Sequence, residues 1–91
     1  MENKLKVEDL NFIITDNNYN STIEIKCKVK NTDNVIDEIS ISNFRGDFKY
    51  IMYHGKVISV VESNLCREDL INIAVDFLTA FLANNDIICV V

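Results

Sequence analysis

Residues 22–30 read Thr-Ile-Glu-Ile-Lys-Cys-Lys-Val-Lys, and this run decides the fold. Ile23, Ile25, Cys27 and Val29 alternate with Glu24, Lys26, Lys28 and Lys30. Successive side chains of a strand point to opposite faces, so a period of two makes one face apolar and the other charged. A sheet with one covered face and one wet face is therefore expected.

Working backwards, Lys4 to Thr15 alternates at Leu5 and Val7, slips at Glu8-Asp9, and resumes at Leu10, Phe12 and Ile14. A one-residue slip is what a β-bulge does to facing. With a turn over Asp16 to Tyr19, Ile14, Phe12 and Leu10 fall opposite Ser21, Ile23 and Ile25, and Val7 and Leu5 fall opposite Cys27 and Val29. Working forwards, Val35 to Asn43 forms a third strand with Ile39 and Ile41 inward. Asp47 to Tyr53 and Lys56 to Val61 form a hairpin closed by His54-Gly55. Asn31-Thr32-Asp33-Asn34 and Arg45-Gly46-Asp47 are turns, since Asn, Asp and Gly tolerate positive φ or make local bonds. Short connections make these pairings antiparallel.

The period then changes. Ser63 or Asn64 caps a helix running to about Ala83, with Glu68 and Asp69 near the positive end of its dipole and Asn84-Asn85 at its end. Its polar strip is narrow: Asp69, Asn72, Asp76, Thr79 and Ala83. An apolar arc of about 220° remains, whereas resting on one sheet needs little more than about 100°. That excess, with the apolar tail Asp86 to Val91, leads to the expectation of a homodimer through helix and tail; alternatively the tail closes as a short strand. The fold class is thus α+β: a meander-like antiparallel sheet of four to five strands followed by one long C-terminal helix, in one domain over residues 1–91.

The net charge of −5 is uneven: residues 1–30 hold five acids and five bases, residues 31–91 nine acids and four bases. A nucleic-acid binder needs a basic face, and an acidic chain is repelled by anionic membranes. Met1-Glu2-Asn3-Lys4 lacks the basic start and apolar run of a secretory signal, and no stretch reads as a membrane span. Three cysteines without paired spacing fit reduced thiols, so a cytoplasmic location is expected.

No residue pattern names a reaction. His54, the single histidine, falls in the hairpin turn. Cys66 lies near the helix start, but on the apolar arc and beside Glu68 and Asp69, which reads as a core thiol; Cys27 and Cys89 read as packing. Adjacent residues on a strand point apart, so Glu8-Asp9, Asp37-Glu38 and Glu68-Asp69 read as bulge, turn-flanking and helix-dipole acids rather than acid/base pairs. Neither zinc spacing nor a phosphate-cradling loop occurs, so no catalytic residue, metal or cofactor is expected.

By exclusion the sequence leads to a non-enzymatic, acidic protein-binding module. It would be an inhibitor, immunity or adaptor protein, of bacterial or phage origin, that occludes a basic target. Asp33, Asp37 and Glu38 are the candidate acidic contacts, and Lys26, Lys28 and Lys30 the basic ones. The alternative is a nucleic-acid binder whose sheet face gathers Lys4, Lys6, Lys26, Lys28 and Lys30, although the interleaved aromatics of such surfaces are missing.

Overall fold

The computed structural model describes residues 5–17, 22–45, 48–62 and 64–89. In chain order these form β1 (Leu5–Lys6), a 3-10 turn (Val7–Asp9), β2 (Leu10–Asn17), β3 (Thr22–Val29), β4 (Val35–Arg45), β5 (Phe48–Tyr53), β6 (Lys56–Glu62), α1 (Arg67–Asn84) and β7 (Ile88–Cys89). Strands β2 to β6 make a five-stranded antiparallel meander in sequence order. The helix packs across one face, chiefly over β4 and β3. This is the expected α+β layout.

The alternation in β3 sorts as its sequence demands: Ile25 and Cys27 are fully buried, while Glu24 and Lys26 are exposed. Leu10, Ile39, Ile41 and Ile51 join them from the sheet, and Leu70, Ile71, Ala74, Leu78 and Leu82 from the helix. Phe12, Ile23 and Phe77 pack around this core half-buried, while the half-buried Phe81 stacks on Tyr53 and Phe77 instead. Val29 is half-buried as well.

The entry to the sheet differs from expectation. Phe12 pairs with Cys27, not Ile23, because β2 runs on through Asn17 and lengthens the hairpin. The offset is even, and an even slip preserves facing. The break at Glu8-Asp9 is not a bulge but the 3-10 turn, in which the Asp9 carboxylate accepts the Lys6 amide at 3.0 Å. It turns β1 out of the meander, so Leu5 and Val7 do not pair with β3. Leu5 and Lys6 instead lie parallel to Ile88 and Cys89, and Ile88 is buried. The tail therefore does close as a strand, against β1.

The helix begins two residues later than an Asn64 cap would start it, and Ser63 lies outside the described residues. Cys66 takes the N-cap position with extended backbone and no side-chain cap bond, and its carbonyl accepts the Leu70 amide at 3.1 Å. Cys66 is consequently exposed rather than a core thiol. Glu68 and Asp69 do occupy the first turn, where the dipole favours them. At the other end Asn85 Nδ2 bonds the Phe81 carbonyl at 2.9 Å and Asp86 adopts φ 59°. Part of the excess apolar arc is absorbed within the chain: Ile73, Val75 and Phe77 flank the core, and Phe81 stacks on Tyr53. Among the described residues no helix is long and apolar enough to cross a membrane.

Candidate functional site

Two features stand apart from the core. The first is a polar cluster at the β5–β6 turn. His54 and Gly55 adopt φ 52° and 78°, as a two-residue hairpin with right-handed strand twist requires. That geometry swings the His54 ring back over Tyr53, with centroids 4.0 Å apart. Tyr53 in turn stacks on Phe81 of α1 at 4.4 Å and 13°. Between them lies Asp37 of β4. Its Oδ2 accepts the Tyr53 hydroxyl at 2.5 Å, and its Oδ1 meets His54 Nε2 and the Glu38 amide, each at 2.9 Å.

The Asp37 side chain is only 9% exposed, whereas that of His54 is 64% exposed. Burial by itself raises the Asp37 pKa. The bonds from Tyr53, His54 and the Glu38 amide, with the His54 charge, outweigh it and hold the carboxyl below its usual range. Burial first, then the bond to Asp37 and its charge, push Tyr53 up to about 12. Across the β3–β4 ladder, burial and then the Asp37 charge push the Cys27 thiol up to about 11. That thiol is a packing group, held far from the thiolate form that nucleophilic chemistry needs.

Sequence alone placed His54 in its turn but gave it no partner. The structure supplies Asp37, which an offset of 17 residues conceals. His54 also lines a cleft of about 180 Å³ with Glu24, Glu38, Ser40 and Met52. Chemically, an Asp–His pair orients an imidazole, and with Nε2 engaged only Nδ1 is left for another group. No hydrogen bond joins Ser40 to His54, and no His/Cys/Asp/Glu group among the described residues has the geometry of a metal site. What these contacts do is clamp β4, the β5–β6 turn and α1 together.

The second feature is the face of the sheet that the helix leaves open. In register order it carries the rows Asn17–Thr22–Ser42–Tyr50–Val60, Thr15–Glu24–Ser40–Met52–Val57 and Ile13–Lys26–Glu38. Its β2–β3 half is polar and charged apart from the exposed Ile13. Its β5–β6 half is apolar and aromatic: Phe48, Val57 and Val60 are 52%, 47% and 53% exposed beside Tyr50 and Met52. A cluster of bare apolar side chains on a small chain marks an interaction surface more often than an isolated one does.

The charged candidates do not form the patches the sequence implied. Lys26 stands opposite Glu38, and Lys28 Nζ lies 4.0 Å from Asp33 Oδ1. Lys6 pairs with Cys89 in β1–β7 rather than with β3, because the 3-10 turn redirects it; Lys4 lies outside the described residues. The expected five-lysine face is thus a mixed-charge surface. Asp37 is spent on the clamp, which leaves Asp33 and Glu38 as the exposed acids of that trio. The Gly46-Asp47 part of the Arg45-Gly46-Asp47 turn and the Cys89 side chain also lie outside what is described.

No protein-family model, curated protein or solved structure matches this chain.

Proposed function

We propose that this protein acts by binding another protein of basic character through the open face of its sheet, without chemistry of its own. One observation carries this reading: the apolar half-face formed by Phe48, Tyr50, Met52, Val57 and Val60, on a domain whose other face is already occupied by its helix. Aromatic and Met side chains are enriched at the centres of protein interfaces. The net charge of −5 favours encounter with a basic partner, such as an enzyme whose groove it occludes. An inhibitor, immunity or adaptor role in the cytoplasm follows. The mixed charge around Lys26 and Lys28 argues against the nucleic-acid alternative, since phosphate neutralisation needs uncompensated cations.

Affinity capture from the native cell, read by mass spectrometry, is the test, with the recovered partner then assayed in purified form. Phe48→Ser and Tyr50→Ser should abolish its binding, and Asp76→Lys on the helix should leave it intact. Reversing Asp33 and Glu38 should slow association and flatten its salt dependence. A partner indifferent to Phe48 and Tyr50 overturns the open-face reading, and salt-sensitive oligonucleotide binding replaces it by the alternative.

A further inference from the structure

We propose that the helix side of the sheet carries a binding site for a small organic carboxylate with an apolar body, seated between Lys49 and Arg67. A cavity of about 390 Å³ lies where Arg67, the first residue of α1, meets the adjoining ends of β2, β3, β4 and β5. Cavities of this size hold small molecules. Asp16, Ile23 and Ile41 stand in one ladder row with the buried Ile51, which places them on the helix side, and Asn43 and Lys49 follow two residues further along.

The cations decide what this cavity takes. Lys49 is half-buried and has no hydrogen bond or ion pair among the described residues; its cross-strand neighbours are the uncharged Asn43 and Val61. An ammonium drawn partly out of water without a counter-charge is unfavourable, and an anion bound beside it relieves that cost. Arg67 is engaged on one side only. Its Nε and Nη2 donate to Asp16 at 3.3 and 2.7 Å, which uses two of the five N–H groups of a guanidinium and leaves the rest for a second acceptor. The charged lining is thus Lys49 and Arg67 against Asp16, a net +1 in a chain of net −5. Glu68 and Asp69, the nearest acids along the helix, do not line it. A single uncompensated positive charge suits a monoanion better than a phosphate dianion, and the planar guanidinium fork matches a carboxylate.

The floor decides the rest of the ligand. It is formed by Ile23, half-buried, and Ile41, which is only 1% exposed. A small hydrated anion gains nothing from that surface, whereas a short alkyl body laid on it leaves water. Asn43, exposed across the ladder from Lys49, adds a neutral amide beside the carboxylate. The cavity is on the opposite side of the sheet from Tyr50, Met52 and Val60, so the site stands independently of the partner reading and its test needs no partner.

Titration of the full chain with sodium hexanoate, followed by amide NMR shifts, should give saturable changes at Ile23, Ile41, Asn43 and Lys49. Half-saturation is expected at about 1 mM, the scale for a ligand of so few atoms. Acetate, which lacks the alkyl body, and hexylammonium, which reverses the charge, should each bind about tenfold more weakly or worse. Lys49→Gln should weaken hexanoate about tenfold, and Lys49→Arg should stay within about threefold of the parent chain. Asp16→Asn should tighten hexanoate about fivefold, because it frees the Arg67 fork and leaves both cations uncompensated, a gain that misfolding does not give. Lys56→Gln, at the exposed end of β6, should change nothing. An absence of saturable shifts, equal binding of hexylammonium or acetate, a Lys49→Gln variant that binds as before, or weaker binding by Asp16→Asn overturns the proposal.

Discussion

Replacing Asp37 by Ala and Tyr53 by Phe, singly and together, tests whether the polar cluster holds the turn and helix to the sheet. Asp37 accepts three hydrogen bonds, from Tyr53, His54 and the Glu38 amide, on a side chain only 9% exposed. Hydrogen bonds to a charged group contribute about 1.5–3 kcal/mol each when well covered, and His54 is too exposed to reach that value. Asp37→Ala should therefore cost about 2–4 kcal/mol. Tyr53→Phe keeps the stack on Phe81 and loses only the hydroxyl bond, so about 1–2 kcal/mol is expected. If the bond is the shared element, the double variant costs less than the sum by about 1 kcal/mol or more. Urea unfolding with unchanged m-values gives these differences. Additivity within about 0.3 kcal/mol would refute the clamp, leaving Asp37 and Tyr53 as neighbours with separate roles.

Acid should release the same contact. Because the folded Asp37 pKa lies below its unfolded value, its contribution is complete above about pH 4 and disappears as pH falls through the lowered folded value, a loss that Asp37→Ala should not show. At the alkaline end the folded Tyr53 pKa is raised to about 12, so stability is full below about pH 10 and declines between these values, less steeply in Tyr53→Phe. In the core, Leu78→Ala should cost about 3–5 kcal/mol because Leu78 is fully buried, and the half-buried Phe77 should cost less on truncation, about 2–3 kcal/mol, both read by chemical denaturation. Arg67→Ala should change stability by no more than about 1 kcal/mol, since its pair with Asp16 is half exposed on both sides.

What the sequence determined by itself is local. The alternation of β3 assigned its faces, His54-Gly55 set the hairpin turn, and the change of period after Glu62 announced the helix, because each signal lies within a few residues of backbone geometry. The faces of Leu10 and Phe12 were legible even though their partners were not, since facing depends on parity and pairing on where the turn falls. Only the tertiary structure decided where β1 goes. A 3-10 turn and a bulge break the alternation alike, and the choice rested on the Asp9 cap and on a parallel partner, Ile88 and Cys89, at the far end of the chain. The polar cluster was equally hidden. Asp37 reads as one of an ordinary acidic pair until the meander lays β4 beside β5 and the positive φ of His54 returns its ring over Tyr53. The lysines show the same limit: their face was readable within β3, but the acids that balance them arrive from β4 and its preceding turn, by contacts that no local pattern encodes.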